Sequence, residues 1–193
     1  YETIADSGGA GQHRGGNGVR VGYRFLEPGE ISIHDDRWLT YPWGVNGGAP
    51  GQRSGKLLRR ADGSEQRVPS KCDRVKVEPG DLLLFETWGG GGWGDPLARA
   101  LEAVALDVRR GLVTVDGARR YGVVLDAEGR IDHDATEALR ARLCDERGPL
   151  PLFDKGGSLK DILARCEAET GFPPPRPPEF GRHVARVAGV VPR

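Results

Sequence analysis

The sequence predicts an α+β fold, with a β-rich N-terminal half that carries glycine-rich loops and a helical C-terminal half. Residues 19–25 alternate between apolar and polar side chains, which is the period of a half-buried strand. After Pro96 the apolar residues recur at helical spacing. Between the halves stands W-G-G-G-G-W-G-D-P at 88–96, whose glycines join a strand to a helix start. We expect a β-rich portion at 1–96, a helical portion of the same domain at 97–171, and an extended proline-rich tail at 172–193.

The β-rich portion is predicted to begin with a hairpin. The strand at 19–25 is followed by the turn sequence E-P-G-E at 27–30, and the alternation resumes at Ile31 and Ile33. This pattern favours pairing between the two strands. The further elements expected in this portion are an irregular stretch at 42–55, a hairpin of 56–60 with 65–68, a strand containing Val75 and Val77, and a strand at 82–85.

The helical portion is predicted from its capping signals. Asp95 and Pro96 are suited to an N-cap and a first helical residue. The apolar face of 101–108 is followed by Gly111, a natural helix stop. The further elements expected are a short helix at 116–121, a strand at 122–125, a helix that opens with a capping box at 134–137 and ends near 146, and a helix capped by Ser158 and ended by Gly171.

Composition and charge exclude several classes of protein. The chain has 193 residues, with 28 basic and 28 acidic side chains, so the basic excess of a nucleic-acid binder is missing. Apolar runs are too short to span a membrane, and no signal peptide begins the sequence, so we expect a cytoplasmic protein. The cysteines at 72, 144 and 166 are far apart and odd in number, which favours buried thiols. Because the chain contains no methionine, we expect a processed chain or a part of something longer.

The first candidate site is the glycine-rich segment at 6–16. Glycines around Arg14 could place backbone N–H groups and a guanidinium around a carboxylate or phosphate. The alternative is a connecting loop in which Arg14 forms a structural salt bridge. The second candidate is the loop at 89–94, where a helix start also favours anions. Asp95 would occupy that positive end itself, which favours tight backbone packing over a bound phosphate.

The remaining polar clusters predict neither a metal site nor a catalytic site. His34, Asp35 and Asp36 are consecutive, and consecutive strand residues point to opposite faces. His133 is flanked by acidic residues that are suited to capping a helix. We therefore assign no metal ligand and no catalytic residue in this sequence.

Several motifs in order resemble the C-terminal part of the hydantoinase B/oxoprolinase family. They are D-S-G-G-A-G-Q-H-R-G-G-N-G-V at 6–19, P-W-G-V-N-G-G-A-P-G at 42–51, P-G-D at 79–81 leading to G-G-G-G-W-G-D-P at 89–96, and E-T-G-F-P-P at 169–174. The family comprises the B-type subunits of ATP-dependent N-methylhydantoinases, 5-oxoprolinases and acetone- or acetophenone-type carboxylases. The resemblance covers nearly the whole chain, although Trp93 stands where the family often has tyrosine.

The resemblance implies a hetero-oligomeric enzyme that opens cyclic amides such as hydantoin or 5-oxoproline. An A-type subunit would bind ATP and Mg²⁺ and phosphorylate the small-molecule substrate, and the B-type subunit would complete the hydrolysis. A divalent metal is expected in the N-terminal part of the B-type subunit, which would be a direct partner of this segment. The segment alone is then expected to be inactive and to bind no cofactor. Two alternatives stay open: the same segment in a carboxylase, and a non-catalytic assembly module.

Within this family the glycine motifs are the candidates for binding substrate or lining the cavity. The first group would orient a substrate, with Arg14 facing an anionic group, and the second would shape a close backbone contact. The residues are Asp6, Ser7, Gly8, Gly9, Gly11 and Arg14 in the first group, and Gly89, Gly90, Gly91, Gly92 and Asp95 in the second.

Overall fold

The computed structural model describes residues 1–175, and in this range the chain is an α+β protein as predicted. Eight of the nine strands lie within the first 86 residues, and the α-helices follow Pro96. The strands are β1 Glu2–Thr3, β2 Val19–Arg24, β3 Gly29–His34, β4 Gly44–Val45, β5 Gly55–Arg59, β6 Glu65–Arg67, β7 Lys71–Val77, β8 Leu82–Glu86 and β9 Phe153–Asp154. The α-helices are α1 Leu101–Arg109, α2 His133–Glu146 and α3 Leu159–Thr170, and short 3-10 helices span Pro96–Ala98 and Gly117–Tyr121.

The main sheet has five antiparallel strands in the order β1-β2-β8-β5-β6. Two further antiparallel pairs are formed by β3 with β7 and by β4 with β9. The predicted hairpin of 56–60 with 65–68 is confirmed, since Leu57 pairs with Arg67 in the β5–β6 ladder.

The predicted hairpin of 19–25 with the strand at Ile31 is wrong. Strand β2 pairs with β8 instead, and β3 pairs with β7. The apolar strand β8 lies in the middle of the sheet, between β2 and β5, where both of its edges are satisfied. The backbone of Phe25 exchanges hydrogen bonds with the turn at Gly80 and Asp81, at 2.9 Å each, so the chain leaves the sheet there. Long-range pairing has therefore overridden the local turn signal.

Two apolar clusters hold the described residues together. The first lies in the β-rich portion and contains Ile33, Leu58, Val68, Val77 and Leu83. The second joins the helical portion to the N-terminal glycine segment and contains Ala10, Val104, Ala105, Val113, Ala118, Tyr121, Val123 and Leu125. Because Ala10 belongs to this second cluster, the helical portion packs directly against the first glycine motif.

Most helix signals are confirmed, with one correction. Gly111 follows the end of α1 and lies in the left-handed region, at φ +69°. Ser158 forms a full capping box with Asp161 at the start of α3. Helix α2 is capped by Asp132 rather than opened by a box at Asp134, because the Asp132 carboxylate accepts the Ala135 N–H at 3.0 Å.

The strand predicted at 122–125 does not form. Gly122 is in the left-handed region at φ +65°, and Leu125 makes only an isolated bridge to Ile131. The Thr136 hydroxyl accepts the Val124 N–H at 3.0 Å, so a side chain supplies the hydrogen bond that a ladder would have given.

The chain after α3 is described only as far as Pro175, and the rest of the predicted tail lies outside the described residues. Up to that point, no helix is long and apolar enough to cross a membrane. The three cysteines are free thiols, of which Cys166 alone is buried, so the expectation of buried thiols holds for one of them.

Candidate functional site

Three glycine-rich segments, 7–18, 43–51 and 89–94, pack backbone against backbone into one unit, here called the glycine core. The N–H groups of Gly9 and Gly92 donate to Gly90 O at 2.8 Å and to Ala49 O at 2.9 Å. Gly90 in turn donates to Gly16 O at 2.8 Å, and Ala49 donates to Ala10 O at 2.7 Å. Each segment is therefore bonded to the other two, although Gly9 and its partner Gly90 are 81 positions apart in the sequence.

Glycine is required here because the backbones approach too closely for a side chain. A Cβ at Gly15 would overlap Gly90 O, and a Cβ at Gly91 would overlap Trp43 O. Such overlaps with backbone atoms cannot be relieved by a side-chain rotation. The candidate residues for which an added Cβ would meet backbone within 3.0 Å are Gly8, Gly9, Gly11, Gly89, Gly91 and Gly92.

Five of the six N–H groups in the loop at 89–94 donate to the protein's own carbonyl groups. Gly89 donates to Gln52 O at 3.1 Å, Trp93 to His13 O at 2.9 Å, and Gly94 to Val45 O at 2.9 Å. Together with the N–H groups of Gly90 and Gly92, these donors all point at backbone oxygens. Since a phosphate cradle needs free N–H groups, the loop is built for backbone packing.

Arg14 is directed at the protein's own groups. Its Nε lies 3.3 Å from Asp107 Oδ2, and one terminal nitrogen donates to Gly15 O at 2.8 Å and to Asn17 Oδ1 at 3.1 Å. Arg99 approaches the same Asp107 oxygen at 2.8 Å. Only 9% of the Asp107 side chain is exposed. One buried carboxylate therefore forms ion pairs with two guanidinium groups. This Arg14–Asp107–Arg99 cluster fixes the first glycine segment to α1.

Asp6 and Ser7 attach the same segment to its surroundings. The Asp6 carboxylate accepts from the Thr114 N–H at 3.1 Å, from the Thr114 hydroxyl at 2.5 Å and from Arg120 at 2.8 Å. The buried Ser7 hydroxyl donates to Ile4 O at 2.6 Å and accepts from the Gly18 N–H at 2.8 Å. Both side chains therefore hold the loop closed.

Asp95 is the N-cap of the 3-10 helix at Pro96–Ala98, as predicted. Its carboxylate accepts from the Leu97 N–H at 2.9 Å and from Arg147 at 2.5 Å. Burial opposes ionisation of this group, but the hydrogen bonds from Arg147 and Leu97 outweigh it and hold the pKa of Asp95 below its ordinary value. The charged Asp95 thus joins the end of α2 to the glycine core.

A buried polar cluster around Lys56 was not predicted. The Lys56 ammonium is fully buried and bonds the Asp35 carboxylate, the Ser54 hydroxyl and, at 2.7 Å, the Ser70 hydroxyl. Burial lowers the pKa of Lys56, and Asp35 opposes that shift. The sequence carried one signal: Lys56 takes the inward position of β5 two residues before the core residue Leu58. A cavity of about 190 Å³ lies beside this cluster and is also lined by Arg53 and Glu169.

The residues considered as metal ligands diverge, as their sequence spacing predicts. His34 Nε2 lies 3.1 Å from Asp73, Asp36 pairs with Lys71 at 2.8 Å, and Asp35 points inward to Lys56. Within residues 1–175, no three His, Cys, Asp or Glu side chains come together as a possible metal site.

The geometry thus defines a glycine-rich scaffold segment whose close backbone contacts are shared among three distant motifs. Residues 1–96 match the model of the family described as Hydantoinase B/oxoprolinase. Through these residues the chain belongs to the hydantoinase B/oxoprolinase family.

Individual relatives give the same result. Caprolactamase subunit beta of Pseudomonas jessenii is 39% identical over 147 residues, which cover 73% of this chain and 25% of that one. The crystal structure of the ATP-dependent caprolactamase from the same organism superimposes with a TM-score of 0.60 at 35% identity, over 73% of this chain and 25% of that one. A structure of acetone carboxylase shares the fold at 24% identity, with a TM-score of 0.60 over 76% of this chain and 24% of that one. The chain spans about a quarter of the length of these relatives.

Proposed function

We propose that the chain is the C-terminal quarter of a B-type subunit in an ATP-dependent enzyme that hydrolyses cyclic amides. The observation that carries this proposal is the 39% identity to caprolactamase subunit beta, which extends well beyond the glycine motifs. Caprolactam is a cyclic amide, so the relative's name gives the substrate class. An amide is a poor electrophile, and phosphorylation of its oxygen by ATP would make the carbonyl carbon open to attack by water.

The glycine core would contribute to this reaction through shape. Its N–H groups at Gly9, Gly90 and Gly92 already donate to backbone oxygens, so they would support one wall of the active-site cavity rather than hold the substrate. Arg14, with Asp107 as its counter-ion, would keep that wall in place. Asp6, Ser7 and Asp95 would do the same through the contacts described above.

The remaining components would lie outside this chain. ATP and Mg²⁺ would be bound by an A-type partner subunit, and a divalent metal by the N-terminal part of the B-type subunit. The assembled enzyme would be a hetero-oligomer.

A chimera tests the proposal. The matched quarter of caprolactamase subunit beta is replaced by this chain, and the chimera is assembled with its partner subunit. We expect ATP-dependent hydrolysis of caprolactam by the assembly and none by the 193-residue chain alone. A chimera that folds and assembles but hydrolyses nothing would contradict the proposal, and so would turnover by the isolated chain.

The carboxylase alternative has less support. Acetone carboxylase is 24% identical and therefore supports a common fold only. A pure assembly role makes a different prediction: deletion of residues 172–193 would abolish subunit association. A cavity role predicts that the shortened protein still assembles and has altered kinetics.

A further inference from the structure

Four aromatic side chains are aligned on one face at the edge of the glycine core. Trp93 forms a bridge with His13 on one side and with Val45 on the other, and Val45 pairs with Phe153 in the β4–β9 ladder. Residues that pair across neighbouring strands point to the same face. Trp43, two residues before Val45, falls on that face too. We call the set His13, Trp43, Trp93 and Phe153 the aromatic row.

The rings form two contacting pairs, and Trp43, Trp93 and Phe153 remain about half-exposed. The ring centroids of His13 and Trp93 are 5.5 Å apart, and those of Trp43 and Phe153 are 6.0 Å apart in an edge-on arrangement. The exposed fractions are 46% for Trp43, 47% for Trp93 and 50% for Phe153. The Lys155 ammonium lies 4.9 Å from the Trp43 ring centroid at one end of the row. Several half-exposed aromatic rings on one face of a hydrogen-bonded backbone are typical of a contact face.

We propose that the aromatic row is the face on which the remaining three quarters of the B-type polypeptide packs against this segment. The inference rests on the proposed function, because it takes the chain to be part of such a polypeptide. It assigns the row to one occupant, the N-terminal part of the same subunit.

The small exposed area of the aromatic row favours the N-terminal part of the same subunit over a separate chain. Aromatic side chains bury about 150–250 Å² each, so the exposed halves of Trp43, Trp93 and Phe153 offer roughly 300 Å². A stable interface between separate chains needs about 800 Å² per partner. A contact within one polypeptide can be smaller, because covalent linkage supplies a high effective concentration. The length of the relatives also supports an occupant within the same polypeptide, since about three quarters of caprolactamase subunit beta lies outside the matched region.

The test compares the isolated chain with the caprolactamase chimera by thermal unfolding. Trp43→Ser and Trp93→Ser should each lower the melting temperature of the chimera by about 2–4 °C more than that of the isolated chain, because the chimera loses the added contact as well as the contacts within this segment. Trp88→Ser is the matched control, because Trp88 is 41% exposed and lies outside the ladder. Trp88→Ser should change the melting temperatures of the two proteins by the same amount. Acrylamide should quench the indoles of the isolated chain more strongly than those of the chimera.

Each other outcome overturns the inference. Equal destabilisation of both proteins would show that the row belongs to this segment's own packing. No effect in the chimera would show that the B-type chain does not cover this face. Dimerisation of the isolated chain that Trp93→Ser abolishes would assign the row to a second copy. Enzymatic activity is not measured here, so a chimera that shows the expected shifts but no turnover contradicts the proposed function alone.

Discussion

Arg14 and Asp107 form a buried ion pair between the first glycine motif and helix α1, with Arg14 Nε 3.3 Å from Asp107 Oδ2. The side chains are 17% and 9% exposed. Arg99 shares the same carboxylate oxygen at 2.8 Å, so Asp107 is the counter-ion of two buried cations. The stability of the glycine core should therefore depend more on Asp107 than on either arginine.

Asp107→Asn should lower the free energy of unfolding by about 3–5 kcal/mol, because it leaves two buried guanidinium groups without a counter-ion. Arg14→Ala should cost less, about 1–3 kcal/mol, because Asp107 keeps Arg99. Urea unfolding of the 193-residue chain measures both values. Arg119→Ala is the control, since Arg119 is 55% exposed and 4.0 Å from Asp116, and should change stability by less than about 0.5 kcal/mol. A larger loss for Arg14→Ala than for Asp107→Asn would contradict this arrangement.

Gly15→Ala and Gly16→Ala form a matched pair at adjacent positions. A Cβ at Gly15 would overlap Gly90 O, whereas a Cβ at Gly16 has nothing within 4 Å. Gly15→Ala should destabilise the chain by about 3 kcal/mol or prevent folding, and Gly16→Ala should change stability by less than about 1 kcal/mol. Thermal unfolding of both variants checks this difference. Equal effects at the two positions would mean that the glycine segments are not in close backbone contact.

Asp95→Asn should change the acid sensitivity of the protein. The folded-state pKa of Asp95 is lowered, so its charged form adds stability above the unfolded value of 3.8, and this is lost as pH falls through the lower folded value. At pH 7 the free energy of unfolding of the parent should exceed that of Asp95→Asn by about 1–2 kcal/mol. The two free energies of unfolding should converge below pH 3.8, which urea unfolding across pH 2–7 would detect. Asp116→Asn, 97% exposed at its side chain, should follow the parent at every pH. A difference in free energy of unfolding that stays constant across this pH range would contradict the lowered pKa of Asp95.

Lys56→Met should destabilise the chain by about 3–5 kcal/mol, because the buried Asp35 carboxylate would lose its cation. The double variant Lys56→Met, Asp35→Asn should recover part of this loss, since it buries no unpaired charge. Chemical denaturation of the single and double variants gives the coupling between the sites. Lys71→Met is the control, because Lys71 pairs with Asp36 at the surface and its loss should leave the unfolding midpoint unchanged. Additive effects of the two substitutions would contradict a direct pair.

Local signals in the sequence predicted those parts of the fold that local interactions decide. The Ser158–Asp161 capping box, the cap at Asp95 and the hairpin of β5 with β6 each depend on residues close together in the chain. The error over β2 and β3 has the opposite cause. The turn at 27–30 was visible, but the partner of β2 is β8, about 60 residues further along the chain.

In the candidate site, too, the sequence predicted local features and missed the long-range contacts. The glycine motifs identified which backbone segments approach something closely, but the sequence did not reveal that they approach one another. The partners of Arg14 and Asp6 lie about 90 to 110 residues away, at Asp107 and Thr114. Asp107 looks in sequence like an ordinary polar residue of α1, and its role appears only when the helix packs beneath the loop.

The central claim is that the glycine core uses the N–H groups of Gly9, Gly90 and Gly92 for its own hydrogen bonds and acts as a scaffold. Amide hydrogen exchange of the 193-residue chain, followed by NMR with and without added phosphate, measures this directly. We expect the amides of Gly9, Gly90 and Gly92 to exchange only through global unfolding, far more slowly than the exposed Gly16, and to be unaffected by phosphate. Rapid exchange at these three glycines that phosphate slows would contradict the claim and make the loop an anion site.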